Sequence, residues 1–157
     1  MKLTWKITLL IITLFAAGCD CEENEPCGDT EIISITSVIL YGMSPSKDSL
    51  TIIPGSVHFN HSCSGKNPLR QKSTCTEWEQ LTSSFDLTEF QALNLNSCAR
   101  CYDGADISIS VKTASSYHRI VIPYYLTNEG QIPDEIQSLY EKIAGIRSEV
   151  QSLACEE

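Results

Sequence analysis

An alternating stretch in the C-terminal third of this 157-residue chain constrains its fold most strongly. In residues 106–112 the apolar side chains Ile107, Ile109 and Val111 are separated by serines. Successive side chains of a β-strand point to opposite faces of a sheet, so this pattern predicts a strand with one apolar and one polar face. A second stretch of β-type composition, residues 117–124, follows after a short polar turn. Together the two stretches predict an antiparallel hairpin.

The segment after this hairpin predicts a long helix from Pro133 to about residue 153. Proline suits the first turn of a helix, and Asp134 and Glu135 place negative charge at the positive end of the helix dipole. An apolar stripe then recurs at helical spacing and is expected to pack on a sheet. The stripe consists of Ile136, Leu139, Tyr140, Ile143, Ile146, Val150 and Leu153.

The residues before the hairpin predict further strands and one short helix. Residues 31–41 and 50–59 are rich in β-branched side chains and predict strands, the second with a bulge or corner at Pro54-Gly55. A turn is expected over residues 42–48 and a polar loop over residues 61–73, and residues 74–81 form a weaker strand candidate. Asp86 is placed to cap a short helix over residues 87–95. The fold class expected from this order is α+β. An antiparallel sheet would carry the short helix and the long C-terminal helix on one face.

The N-terminus has the layout of a secretory signal. Lys2 and Lys6 precede an uncharged run over residues 7–17, and small residues follow it. The run is shorter than the roughly 20 residues that a membrane-spanning helix needs. A charged start, an apolar middle and small residues at the end predict a cleaved signal peptide, residues 1–18.

The end of this signal, Ala16-Ala17-Gly18-Cys19, resembles the lipobox of bacterial lipoproteins. The resemblance implies that Cys19 becomes the new N-terminus and carries lipid on its sulfur and its amine, with palmitate among the acyl chains. Two or more acyl chains hold a protein stably on a membrane, whereas one chain holds it only marginally. An ordinary signal peptide that happens to end beside a cysteine is the alternative.

Residues 19–30 form a tether, and its acidic residues 20–26 are expected to stay extended and solvated. An acidic run after the lipidated cysteine resembles the surface-export signal of Bacteroidota-type lipoproteins. In enterobacterial lipoproteins an Asp at this position, here Asp20, resembles an inner-membrane retention signal instead. Both resemblances imply a lipid-anchored protein of the bacterial cell envelope. The first implies the outer membrane with exposure on the surface, and the second implies the inner membrane. Residues 31–157 then form a single domain of ordinary size.

The charge of the chain argues against nucleic-acid binding. The net charge is −9, and loss of the two lysines of the signal makes it −11. Proteins that bind nucleic acid neutralise its phosphates with Lys and Arg, and this chain has no basic cluster in its sequence. The expected partners are the membrane, through the lipid, and a protein or a glycan.

The chain has eight cysteines, and their pairing depends on the redox environment of the protein. Lipidation of Cys19 leaves seven, and exported cysteines tend to form disulfides. Since seven is odd, at least one cysteine is free or pairs outside the chain, and Cys21 in the tether is the candidate for this cysteine. We expect Cys63 to pair with Cys75. Cys155 is expected to pair with Cys27, Cys98 or Cys101. The candidate disulfide cysteines are Cys27, Cys63, Cys75, Cys98, Cys101 and Cys155.

Two cysteine motifs suggest alternatives to a structural role. Cys98-x-x-Cys101 has the spacing of thiol-redox sites, but it does not sit in a βαβ context, so a disulfide that pins its loop is favoured. His58-x-x-His61-x-Cys63 offers imidazole and thiolate ligands that would suit zinc. Only one CxxC pair is present, so no metal and no cofactor is expected.

No catalytic residues are assigned. His118 lies near Asp103 and Asp106 in sequence, but no nucleophile elbow accompanies it, and a surface position on its strand is expected. Trp78 is the lone tryptophan of the mature domain, and it is expected in the core.

Residues 98–106, the hairpin and the proline-led helix are together similar to small uncharacterised lipoproteins of Bacteroidota. The similarity covers roughly the last 60 residues. A fainter likeness is to emfourin-type protease inhibitors, which lack this cysteine set. The function expected is non-catalytic binding or scaffolding. The alternatives are a small protease inhibitor, and a thiol-redox or metal-binding envelope protein that uses Cys98 and Cys101.

Overall fold

The computed structural model describes residues 27–28, 30–42, 47–61, 68–128 and 131–155. The signal peptide, the lipidation residue Cys19, the tether residues up to 26 and the cysteines Cys21 and Cys63 lie outside these ranges. Among the described residues no helix is both long enough and apolar enough to cross a membrane.

Six strands of the described chain form one sheet in which every neighbouring pair is antiparallel. The order across the sheet is β4-β3-β2-β1-β5-β6, so β1 lies near the middle and pairs with both β2 and β5. The strands are β1 Ile32–Tyr41, β2 Lys47–Ile53, β3 Ser56–Asn60, β4 Leu69–Lys72, β5 Ala105–Thr113 and β6 Tyr117–Pro123.

Helices α1, α2 and α4 pack on one face of this sheet and confirm the α+β class. Their buried side chains, among them Trp78, Phe90 and Leu139, meet the apolar side chains of the strands in one core. The helices are α1 Cys75–Thr82, α2 Leu87–Ala92, α3 Tyr124–Asn128 and α4 Asp134–Cys155, with a 3-10 turn over Ala99–Tyr102.

The predicted hairpin and the predicted long helix are both present. Ile107, Ile109 and Val111 of β5 are each less than 5% exposed and face the helices. In α4, Ile136, Leu139, Ile143 and Val150 are buried as the stripe predicted, whereas Leu153 is 54% exposed. Ala154 continues the buried side of the helix after Val150, and Leu153 points away from it.

Residues 50–59 form two strands where the sequence predicted one strand with a corner. Pro54 and Gly55 make a tight turn, and Gly55 has a φ of 78°. Proline followed by glycine at positive φ is typical of a type II turn, and here it reverses the chain so that β2 and β3 pair. The residues of β4, which were expected in a polar loop, extend this sheet by one more strand.

Helix α1 corrects the prediction of a strand over residues 74–81. Thr74 caps the helix, because its hydroxyl accepts from the Glu77 amide at 3.2 Å and the Glu77 carboxylate accepts from the Thr74 amide at 2.7 Å. This reciprocal capping box satisfies two amides that have no partner within the helix. Trp78 is then buried at 1% exposure, as expected for a core residue.

The second face of the sheet, called the open face below, carries Thr36, Val38 and Leu40 of β1. Registry brings Ser49 and Ser108 beside Val38, and Ser110 beside Thr36, so the polar positions of the neighbouring strands share this face. Helices α1, α2 and α4 all pack on the other face. The loop with the 3-10 turn lies against its edge, at the start of β5.

Candidate functional site

The loop of residues 98–104 is held in place by one buried carboxylate. Asp106 is fully buried, and its Oδ1 accepts from the Ala99 amide at 2.9 Å while its Oδ2 accepts from the Arg100 amide at 3.2 Å. A disulfide joins Cys98 to Cys101 within the same turn. The turn is therefore fixed both covalently and by hydrogen bonds, which favours a structural role for this cysteine pair.

Two glycines allow the loop to approach the sheet closely. The Gly42 amide donates to the Gly104 carbonyl at 3.0 Å. A Cβ on Gly42 would lie 2.5 Å from the carbonyl oxygen of Arg100, and a Cβ on Gly104 would lie 2.8 Å from that of Ala99. Since real side chains do not tolerate such contacts, both positions require glycine at this packing distance.

This fixed loop brings Arg100 to a basin on the open face. The basin is a shallow cavity of about 520 Å³ that spans β3, β2, β1, β5 and β6. Hydroxyl groups, two guanidinium groups, an amide and a phenol surround a small apolar floor, and no carboxylate lines it. Its lining is Thr36, Ser49, Ser108, Ser110, Arg100, Arg119, Asn60, Tyr117, Val38 and Leu40.

Two serines of β5 position the long side chains of β6 over this basin. Arg119 Nε donates to Ser108 Oγ at 2.7 Å, and the Tyr117 hydroxyl donates to Ser110 Oγ at 3.0 Å. Both serines are less than 8% exposed, because these side chains cover them. Ser108 fixes the guanidinium through Nε alone, so the two terminal nitrogens of Arg119 have no partner among the described residues.

The charge of the domain is unevenly distributed between its two faces. Four of the eleven basic residues of the chain, Arg70, Arg100, Lys112 and Arg119, lie on the open face or at its rim. Acidic side chains instead follow helix α4 on the other side of the sheet. The open face is therefore a basic surface on an acidic chain, and a surface of this kind attracts anions.

A second polar cluster lies under α4, on the helix side of the sheet. Asp48 is 6% exposed and accepts from the Tyr41 hydroxyl at 3.1 Å, and His61 Nε2 lies 3.3 Å from the same carboxylate oxygen. Arg147 Nη2 donates to the carbonyl and the hydroxyl of Ser37 at 2.9 and 3.0 Å. Burial lowers the pKa of Arg147 and raises the pKa of Tyr41, where the Asp48 charge adds to the rise.

The two histidines proposed as zinc ligands lie on opposite faces of the sheet. His58 is on the open face and shares a hydrogen bond of 3.1 Å with Ser56. His61 stacks on Phe59 and contacts the carboxylate under α4. They do not share a site, and Cys63, the third proposed ligand, lies outside the described residues.

His118 is not at the surface position that was expected. Its Nε2 lies 2.9 Å from the Leu93 carbonyl, and its ring meets Phe90 edge to face at 5.5 Å. The side chain is half-buried beneath α2, because its position in β6 faces the helices. Asp106 points to the opposite face, so these two residues do not form a catalytic pair.

The disulfides differ from the expected pairing. Cys75 pairs with Cys27 and not with Cys63, because the first turn of α1 lies against the segment that leads into β1. The Trp78 indole donates to Thr30 Oγ1 at 3.3 Å in the same contact. Cys155 is also disulfide-bonded. Its three expected partners, Cys27, Cys98 and Cys101, are all paired elsewhere.

A third feature is a cleft between α1 and α4, called the α1–α4 cleft. It has a volume of about 200 Å³ and opens beside the edge strand β4. Apolar side chains form its floor, and Gln71 and Ser73 stand at its wall. The sequence alone does not predict this cleft or the basin, because each is assembled from elements that are distant along the chain. No protein-family model and no curated protein matches this chain.

Proposed function

We propose that this chain is a lipid-anchored protein of the bacterial cell envelope whose domain binds an anionic ligand without catalysis. The ligand is held in the open-face basin through its carboxylate or phosphate groups. The observation that carries the proposal is Arg119 with Arg100 beside it, since both face a cavity without any lining carboxylate on a chain of net charge −9. Arg100 Nε also lies 4.0 Å from the buried carboxylate of Asp106, so Arg119 is the guanidinium without an acidic partner among the described residues.

The chemistry of the basin supports recognition of oxyanions. A guanidinium presents several N–H donors in a planar fork that matches a carboxylate or phosphate group. Arg119 is already oriented by Ser108, so little conformational freedom is lost when a ligand binds. The hydroxyls and the Asn60 amide add the polar contacts that a sugar or another polyhydroxylated ligand requires.

The attachment of the tether supports the same function. Cys27 is bonded to α1 on the helix side of the sheet. The open face lies on the other side, so this bonded segment does not cover the basin. A binding surface on a tethered protein needs this access to ligands.

Binding is tested with protein extracted from the envelope and titrated with three polymers. Polygalacturonate supplies carboxylates, polyphosphate supplies phosphates, and dextran is the neutral control. We expect one anionic polymer to bind, with affinity that falls as salt is added, and no binding of dextran. Arg119→Gln should weaken binding roughly tenfold, whereas Lys142→Gln on α4 should not. Equal binding by the two variants, or binding of dextran, would contradict the proposal.

The anchor is tested separately. Metabolic labelling with palmitate should mark the wild-type chain and leave Cys19→Ala unlabelled, and the variant should leave the membrane fraction after a carbonate wash. A Cys19→Ala chain that stays in the washed membranes would refute lipid anchoring without bearing on the basin.

A further inference from the structure

The α1–α4 cleft contains two buried polar atoms that have no hydrogen-bond partner among the described residues: Gln71 Oε1 and Ser73 Oγ. Both belong to the β4 end of the cleft wall, two positions apart and therefore on the same side of the strand. An unsatisfied buried polar atom is costly, so most such atoms in folded proteins have a partner. Both atoms are hidden from bulk solvent, so their partner has to come from within the cleft.

The orientation of the Gln71 amide is set by its other end. Gln71 Nε2 donates to Glu149 Oε1 at 3.1 Å. A carboxylate only accepts hydrogen bonds, so the NH₂ group of Gln71 must face Glu149 and the amide oxygen must face away from it. The atom that lacks a partner is therefore an acceptor, and what it requires is a donor such as O–H or N–H. Ser73 Oγ can either accept or donate.

The floor of the cleft is apolar, and Gln80 and four charged side chains complete its lining. Trp78 and Leu81 of α1 and Ile146 and Val150 of α4 enclose it together with Ile52 and Val57 of the sheet. The charges at its rim are balanced, with Lys72 and Lys142 against Glu77 and Glu149. A neutral ligand is favoured, since neither sign of charge dominates. A cavity of about 200 Å³ limits the ligand to roughly the size of a single ring.

We propose that the α1–α4 cleft is a second binding site that takes a small neutral molecule with an apolar ring and one hydroxyl or N–H donor, of which the phenols are the simplest class. The ring fills the space between Trp78 and Ile146, and the donor reaches Gln71 Oε1. This site is on the helix side of the sheet and does not depend on the basin of the proposed function.

The test compares 4-methylphenol with toluene, which has the same ring and lacks the hydroxyl. Calorimetric titration is carried out on the full chain purified from the envelope. The wild-type protein should bind 4-methylphenol at least tenfold more tightly than toluene. Gln71→Leu, which keeps the size of the side chain and removes the acceptor, should abolish this difference and leave toluene binding nearly unchanged.

Two further variants distinguish binding at a specific site from nonspecific binding and from misfolding. Ile146→Phe fills the cleft from the wall formed by α4 and should abolish binding of both molecules. Gln137→Leu makes the same chemical change as Gln71→Leu at an exposed position on α4 and should behave as the wild type. Absence of 4-methylphenol binding, an unchanged preference in Gln71→Leu, or unchanged binding in Ile146→Phe would each overturn the proposal, and would leave the cleft as a pocket for water only.

Discussion

Asp106 is predicted to be the residue on which the 98–104 loop depends most. Its buried carboxylate accepts hydrogen bonds from the backbone amides of Ala99 and Arg100. Hydrogen bonds to a charged group contribute roughly 1.5–3 kcal/mol each. Asp106→Ala removes both acceptors and leaves two amides without partners, so it should lower the free energy of unfolding by about 3–6 kcal/mol. That loss is a large part of the roughly 5–15 kcal/mol that stabilises an ordinary domain.

The assay is urea unfolding followed by the fluorescence of Trp78, which reports on the core. Asp106→Asn keeps one acceptor and turns an NH₂ group toward the other amide, so its loss should be intermediate between those of wild type and Asp106→Ala. Asp103→Asn is the matched control. Asp103 is exposed, and its φ of 62° is one that asparagine tolerates, so its effect should stay within about 0.5 kcal/mol. If Asp106→Ala changed the stability as little as Asp103→Asn does, the role assigned to the carboxylate would be wrong.

Two other predictions concern the same end of the sheet. Gly42→Ala should destabilise the domain by about 1–3 kcal/mol, because the added Cβ meets the Arg100 carbonyl at 2.5 Å. Gly145→Ala is its control: nothing lies within 4 Å of that Cβ and the position is mid-helix, so urea unfolding should show a gain of about 0.5–1 kcal/mol. The unfolding free energy must therefore fall in Gly42→Ala and rise in Gly145→Ala. The pKa of Tyr41 is raised by burial and by Asp48, so the native state favours the neutral phenol, and stability is lost as pH rises through the raised pKa. Tyr41→Phe should reduce the fall in unfolding free energy between about pH 9 and about pH 11, and an unchanged slope would refute this reading.

The sequence predicted the elements whose signals are local and periodic. The alternation before Val111 and the stripe from Ile136 onward are long patterns, and each is produced by burial on one face. Helix α1 was missed because threonine and tryptophan, which are common in strands, were given more weight than the reciprocal cap between Thr74 and Glu77, a signal of only two residues. Strand β4 was missed because its four residues are mostly polar, as is common at the edge of a sheet.

The binding features could not be derived in the same way. The basin combines residues of five strands with Arg100, whose position depends on a carboxylate six residues later. The sequence predicts a polar turn around Asp48, and the residues next to it in sequence do not indicate that it is buried beside His61. The zinc site suggested by the spacing of His58 and His61 is not formed by these two histidines. They are three residues apart and so point to opposite sides of the sheet. These features are set by tertiary packing, which a single sequence does not show.

The bond between Cys27 and Cys75 also decides how far the chain can expand when the domain unfolds. The bond closes a span of 48 residues, whose two ends stay joined in the unfolded chain. All of β1, β2, β3 and β4 lie within that span. Closing a loop of this length removes conformational entropy from the unfolded state and stabilises the fold by roughly 4 kcal/mol. A reductant that opened the bond would therefore destabilise these four strands without removing any contact between them.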